Sequence, residues 1–503
     1  MKQLSNLDSA FLFLESSKTP MHIGALHIFE SPDKKNASFE IFKERVEERI
    51  HLAPVLTQKL MSIPFDLDAP YLVDDPDFSL SLHLNHVGLP APSDRTALNN
   101  LVGEIIRKPM DRSKSLWELT FIDNLDGLGL SGKNHFAIVS KIHHAIVDGM
   151  GGEELLSKLL DFSPDSNHRI KVTPPAPQTP PSGFKLFMKS YGAALRSPTK
   201  MAQIIAKAST ASAKILAQKT AGDLKKLVSF KLAPATLFER DLSDDRVFGT
   251  LELPLHQLKD CRKLSPQATL HDVVLGVISS GLREYLVEKN AVPKDNLVSL
   301  VPISLRRRKP KQGEENRQGA NEIAAMLVDL ATAEMSILDR IEMIRQNTVP
   351  AKSSNKKTTK ISQLTEFLPN IYLSIAAKLY TRWHISNYHN PLFNLVITNV
   401  PGPQIPLYMG KAKLLEQYGS APIFIGMGLS IVVLSYNGTM SIAINSCSSI
   451  IPDPQILVNH IEKSFKDLYS LVTPEQQSKP RRRRRARSEA ASENNPELQQ
   501  SNS

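Results

Sequence analysis

Apolar and polar positions along this chain fall into two separate stretches that each mix short strand-like runs with helical ones. In the first, the apolar runs at residues 23–29 and 136–142 read as buried strands, while 39–50 and 98–106 repeat their apolar side chains at helical spacing. In the second, residues 270–287, 335–345 and 454–471 carry the helical period, and 297–303, 395–400, 428–435 and 439–445 read as strands. The pattern predicts an α/β protein with one domain over 1–165 and another over 236–472.

What lies between and after these stretches has a different texture. Residues 174–181 run Pro-Pro-Ala-Pro-Gln-Thr-Pro-Pro, an extended crossover that can build no core of its own. From 184 to 232 ten lysines or arginines face one acid, Asp223, with apolar side chains recurring between them. Basic amphipathic helices follow, either as a solvated linker or as a surface that lies on anionic lipid. Together these form a linker over 166–235. Beyond 472, Pro480 and six arginines up to Arg487 precede a tail of Ser, Glu, Asn and Gln. Such a tail over 473–503 cannot bury apolar surface and is expected to be disordered, whether solvated or drawn to phosphate-rich surfaces.

Size and composition narrow the class further. A chain of 503 residues exceeds what one hydrophobic core usually supports, and 41% hydrophobic residues suffice for two. The two cysteines, Cys261 and Cys447, are far apart in sequence, which argues against a disulfide scaffold or a thiolate metal site and suits a reducing cytoplasm. The opening residues lack a signal-peptide apolar core, and the best apolar run, 421–434, is broken by Gly426, Gly428 and Ser430. No stretch reaches the roughly 20 apolar residues of a spanning helix, so the chain is not expected to be integral to a membrane. A formal charge of +10 still favours contact with anionic surfaces.

The chemistry concentrates at the end of the strand-like run 136–142, where residues 143–149 read His-His-Ala-Ile-Val-Asp-Gly. Histidine is the side chain best poised near neutral pH to take a proton from a hydroxyl or thiol. Asp148 can brace the turn that presents it, and Gly149 lets the chain leave that turn tightly. A chance match to this spacing arises in roughly one chain of this length in a thousand, so the motif is specific. Neighbouring histidines such as His143 and His144 make poor metal-ligand geometry without further clustered partners, and no metal site is expected. Neither a cysteine nucleophile motif nor a Gly-x-Ser-x-Gly elbow is present, which points to direct transfer without an acyl-enzyme.

Other segments fall in a telling order. Leu7-Asp8, Phe11-Leu12 and Glu15 precede Pro20-Met21-His22-Ile23-Gly24; Met110-Asp111-Arg112-Ser113-Lys114-Ser115-Leu116-Trp117-Glu118 follows. After the histidine motif come Thr269-Leu270-His271-Asp272-Val273-Val274, Val301-Pro302-Ile303-Ser304-Leu305-Arg306, and Asn399-Val400-Pro401-Gly402-Pro403 with Leu407-Tyr408. In this order they resemble the bacterial bifunctional wax ester synthase/diacylglycerol acyltransferase family over nearly the whole chain before the tail. Two positions depart from the family pattern: Ser115 stands where proline is usual, and His271 where asparagine is usual.

The resemblance implies two chloramphenicol-acetyltransferase-like domains with mixed sheets flanked by helices, and an active-site tunnel between them. It implies acyl-CoA as donor substrate, long-chain fatty alcohols and diacylglycerol as acceptors, and no cofactor. By that resemblance His144 is the general base, four residues before Asp148, with His143 either supporting the loop or structural. Arg306 becomes the salt-bridge partner expected of Asp148. Asn399 either donates towards the thioester or holds its turn, and His271 and Asp272 rank below it. The expected location is cytoplasmic, peripheral to the inner membrane or lipid droplets, with no nucleic-acid partner. Two rivals remain open at this point: a carrier-dependent condensation-type acyltransferase, which shares the histidine motif, and a non-catalytic basic protein that binds membrane.

Overall fold

A computed structural model describes residues 1–63, 69–147, 158–164, 232–304, 323–353 and 391–476. The proline-rich crossover at 174–181, the basic stretch up to residue 231 and the arginine tail lie outside them. In chain order the elements of the first half are β1 (Lys2–Gln3), α1 (Asn6–Leu14), β2 (His22–Glu30), α2 (Phe39–Arg49), β3 (Gln58–Met61), β4 (Tyr71–Asp74), β5 (Leu84–Gly88), α3 (Arg95–Ile106), β6 (Trp117–Asp123) and β7 (His135–His143). The second half contributes β8 (Val247–Pro254), α4 (Leu255–Lys263), α5 (Leu270–Glu288), β9 (Val298–Ser304), β10 (Ile323–Asp329), α6 (Ile337–Ser353), β11 (Leu395–Pro401), β12 (Tyr408–Met409), β13 (Ala412–Ser420), β14 (Ser430–Tyr436), β15 (Thr439–Ser446) and α7 (Pro454–Ser470).

Two six-stranded mixed sheets organise these elements, one ordered β12-β13-β2-β7-β6-β5 and the other β10-β9-β11-β14-β15-β8; β1, β4 and β3 form a small third sheet. Most neighbours are antiparallel, but β5 pairs with β6, and β11 with β9 and β14, in parallel. Alternation along β7 explains its burial. Phe136, Ile138 and Ile142 face a core under α2 that also holds Phe42, Val46 and Trp117, while Ala137 and Val139 face a core shared with the second sheet. Trp117 is 1% exposed and its indole N–H donates to the Leu56 carbonyl at 2.7 Å, so the large apolar side chain of the Leu-Trp-Glu segment is buried without stranding its donor.

The interface between the sheets is apolar and close. Leu98 and Val102 of α3 meet Phe248, Val432 and Ala443 from the second half there. Gly103 makes the approach possible, because a Cβ at that position would lie 2.2 Å from the Arg246 carbonyl oxygen. The second sheet carries its own core beneath α4, α5, α6 and α7, from Leu258 and Val274 to Ile461. Across it α5 and α7 touch at Gly281, where a Cβ would come within 2.8 Å of the Ile461 backbone.

One strand departs from the division by sequence. Residues 408–420 fall inside the stretch assigned above to the second half, yet β13 pairs antiparallel with β2 of the first sheet, from Lys413 opposite Glu30 to Ser420 opposite Gly24. The physical reason is an edge: β2 is paired with β7 on one side, and β13 satisfies the backbone groups on the other. Its pattern gave no clean strand period, since Glu416 and Gln417 are both buried beside Leu414 and Tyr418. The segment 158–164 is tied to the same edge. Asp161 exchanges backbone hydrogen bonds with Tyr408 and pairs with Arg45 and Arg49 of α2.

Candidate active site

Strand β7 delivers the two histidines and then ends in a tight turn. His143 sits directly opposite His22 in the β2–β7 register, and its backbone N–H donates to Leu116 at 3.0 Å. The Ile146 N–H reaches back to the His143 carbonyl at 3.1 Å, closing the turn, while the His144 N–H donates to the Met21 carbonyl at 2.9 Å. The paired histidines therefore experience different surroundings. His143 is fully buried, whereas His144 is half-buried, with its ring stacked on Phe11 at 3.9 Å between centroids and 16° between planes.

The hydrogen bonds of His143 determine its tautomer. Its Nδ1 accepts from the Ala145 N–H at 3.0 Å, which leaves the ring proton on Nε2, 3.4 Å from Glu15 Oε1. The same Oε1 accepts from the Met21 N–H at 3.1 Å. On the other side of the carboxylate, Oε2 accepts from Arg112 Nε at 2.8 Å and Nη2 at 2.6 Å. Burial by itself would raise the Glu15 pKa. Its contacts with the His143 ring, the Met21 amide and the Arg112 guanidinium outweigh that and bring it from 4.5 down to about 2.

Helix α1 places these groups because of how it begins. Ser5 and Asp8 form a capping box: the Asp8 N–H donates to Ser5 Oγ at 3.1 Å, and the Ser5 N–H and hydroxyl return to Asp8 Oδ2. Counting from that cap, Phe11 lies within α1 and Glu15, four residues on, is its C-cap, so the two side chains leave the helix on one face. Both were visible as part of the opening signature, but their role at the histidine turn was not assigned from sequence. The Ser-x-x-Asp spacing was the signal that would have located α1 and that face.

Behind His143 the inner face of the sheet is polar and buried. His22 is 1% exposed; burial, reinforced by Lys141, pushes its pKa from 6.5 down to about 3 and keeps it neutral. Burial also lowers the Lys141 pKa, and its ammonium is held by the Lys108 carbonyl at 2.8 Å and Glu118 at 3.0 Å. Glu118 of the Leu-Trp-Glu segment thus supports a buried cation two residues before the motif. Beside His22 lies a small cleft with room for about one water, bounded by Pro20 and Ile106 on one side and by Phe248, Asn445 and Ser446 on the other. Residues from both halves of the chain therefore meet at it.

The second half brings another pair of the expected residues together. Asn399 on β11 donates from its amide nitrogen to His271 Nδ1 at 3.0 Å, which places the His271 ring proton on Nε2. Asp272 does something else. Fully buried, it caps α5 by accepting from the Thr269 N–H at 2.8 Å and hydroxyl at 2.6 Å, and it accepts from Thr348 of α6 at 2.9 Å. Its place is at a helix junction. Asp148, Gly149 and Arg306 lie outside the described residues, and the Asp148–Arg306 ion pair is a proposal taken up below. Among the described residues no cluster of His, Cys, Asp or Glu has the grouping of a metal site.

Comparison with known proteins bears directly on this arrangement. Residues 4–274 match the catalytic-domain model of wax ester synthase/diacylglycerol acyltransferase, and residues 319–469 match the model of its C-terminal domain. The chain belongs to this family. It is 28% identical to the O-acyltransferase WSD of Acinetobacter baylyi, over 95% of this chain and 99% of that one. It is 29% identical to the probable diacylglycerol O-acyltransferase tgs2 of Mycobacterium tuberculosis, over 92% of this chain and 98% of that one. The solved wax ester synthase/diacylglycerol acyltransferase of Marinobacter aquaeolei VT8 superposes with a TM-score of 0.64, covering 93% of this chain and 98% of that chain at 23% identity, and so shares its fold. Family membership makes the chain an O-acyltransferase and sets aside both the carrier-dependent and the non-catalytic readings.

Proposed function

We propose that this wax ester synthase/diacylglycerol acyltransferase moves the acyl group of acyl-CoA onto long-chain alcohols and diacylglycerols with His144 as general base. The observation that carries this reading is the asymmetry of the motif. His143 is fully buried, with Nδ1 bonded to the Ala145 N–H and Nε2 facing Glu15, whereas His144 is half-buried at the turn, with its ring plane held by Phe11. Nδ1 of His144 is buried, so Nε2 is the nitrogen assigned to the chemistry.

In the proposed step, Nε2 takes the proton of the acceptor hydroxyl as its oxygen attacks the thioester carbonyl. The tetrahedral intermediate collapses by breaking the carbon–sulfur bond; the departing thiolate takes the proton back from His144, giving ester and free CoA thiol. An amide nitrogen carries two protons, so Asn399 has a second N–H to offer the developing oxyanion while its first is held by His271. The brace of Asp148 by Arg306 belongs to the same proposal. Direct attack is favoured over an acyl-cysteine, because both cysteines are buried and burial, with Asp260 adding to it, pushes the Cys261 thiol up to about 12.

Docking on a lipid surface is also proposed, since acceptors and products of this chemistry concentrate there. None of the described helices is long and apolar enough to cross a membrane, and the basic amphipathic stretch before residue 232 has the composition of a peripheral contact. The deciding experiment supplies palmitoyl-CoA with hexadecanol or a diacylglycerol and follows free thiol together with the lipid product, with His144→Ala as control. Acceptor-dependent thiol release that falls at least a hundredfold in the variant supports the reading. Undiminished turnover in the variant overturns it.

A further inference from the structure

We propose that Glu15, held by Arg112, is a positioning residue for the acyl transfer: its carboxylate fixes the His143 tautomer and the strand end from which His144 is presented. This rests on the reading of His144 as base and assigns a function to a residue with no evident part in the reaction.

Four contacts converge on one carboxylate. Oε1 lies 3.4 Å from His143 Nε2, an electrostatic contact without hydrogen-bond geometry, and accepts the Met21 N–H at 3.1 Å, while Oε2 takes two N–H groups of Arg112. Arg112 in turn donates to the Leu12 carbonyl at 2.7 Å, so the guanidinium is tied to the last turn of α1 as well. Through these contacts Glu15 reaches each histidine by a short route. His143 is approached directly. His144 is approached through one residue, because Met21, whose N–H Glu15 holds, accepts the His144 N–H on its carbonyl. Phe11, one helical turn before Glu15, stacks on the His144 ring. One short helix therefore sets both the backbone and the ring plane of the base.

The tautomer argument gives the carboxylate a role that a generic packing contact would not have. His143 Nδ1 can accept the Ala145 N–H only while its proton stays on Nε2. An acceptor facing Nε2 holds it there. Without that acceptor the ring can place its proton on Nδ1, against the Ala145 N–H, and the turn that carries His144 loses its anchor. Glutamine at position 15 cannot substitute: an amide has one oxygen, so its nitrogen would face either the Arg112 donors or the Met21 and His143 donors.

The test is steady-state kinetics of the full chain with palmitoyl-CoA and hexadecanol, comparing wild type, Glu15→Gln, His143→Ala and the double variant, each checked for folding by thermal melt. Glu15→Gln is expected to lower kcat about tenfold or more with KM for both substrates within about twofold. In the His143→Ala background the same change should cost under about twofold, because its main route has already been cut. Equal losses in both backgrounds, or wild-type kcat in Glu15→Gln, overturn the proposal. Should Glu15→Gln fail to fold, Arg112→Ala decides, since it removes a partly exposed partner: a kcat loss of about threefold at unchanged KM supports the assignment, and wild-type kcat overturns it. His144→Ala, run alongside, separates the two readings; a fully active His144→Ala refutes the base, whereas an inactive one beside a normal Glu15→Gln refutes only the positioning role.

Discussion

The turn after β7 and the junction at the start of α5 use the same local device for different ends. Each helix opens with a capping box, Ser5 with Asp8 in α1 and Thr269 with Asp272 in α5. In α1 the chemistry lies at the far end, where Phe11 and Glu15 reach the histidine turn of a different element. In α5 it lies beside the cap, where His271 meets Asn399 while its neighbour Asp272 fastens α6 through Thr348. The first region is built on charge, a buried carboxylate between a guanidinium and an imidazole. The second pairs neutral groups. A capping box thus locates a helix, and what the helix does for the site depends on which of its turns meets another element.

The contrast makes predictions of decreasing size. Removing the base should have the largest effect: His144→Ala is expected to lose about a hundredfold to ten-thousandfold in kcat, read by CoA release. Asn399→Ala should come next if the second region supplies an oxyanion donor, with a loss of about a hundredfold in kcat and little change in KM. An Asn399→Ala variant with normal kcat would reduce that region to a scaffold. Unequal stability effects are expected from the two caps. Asp272→Ala strands buried donors and should cost roughly 1–3 kcal/mol in denaturant unfolding, whereas Ser5→Ala, at the N-cap of α1, should cost about 1 kcal/mol.

A further prediction, read as stability against pH and not as the loss in a variant, belongs to the first region. His22 and His27 titrate at about 3 and about 4 when folded, against 6.5 in an exposed histidine, and Glu15 at about 2 against 4.5. All three are depressed, so each contributes stability that is present above its unfolded pKa and lost as pH falls towards the folded one. Thermal midpoints should therefore decline from pH 6.5 downwards through the histidines, and further below pH 4.5 through Glu15. His22→Gln should flatten the upper part of that decline; an unchanged slope would show that His22 is not a buried neutral group.

Much of this architecture could be read from the chain. The helical runs at 39–50, 98–106, 270–287 and 454–471 correspond closely to α2, α3, α5 and α7, and the apolar runs at 23–29, 136–142 and 395–400 to β2, β7 and β11. Strand β13 was missed because its partner on β2 is nearly four hundred residues away and its polar side chains are buried in an interface that no local period records. Helix α1 was missed because nine residues carry too few apolar repeats to stand out, although its cap was legible.

By itself, the sequence determined which side chains would be available: two adjacent histidines ending an apolar strand, capped helix starts, and ordered motifs that specify an acyltransferase family. Those are properties of residue type and spacing, which act over a few residues. Only the tertiary structure decided that His143 would be enclosed and His144 partly open, that Glu15 would face the first, and that His271 would meet Asn399. Each of these depends on burial and on contacts between residues distant in the chain, and both are settled when elements pack.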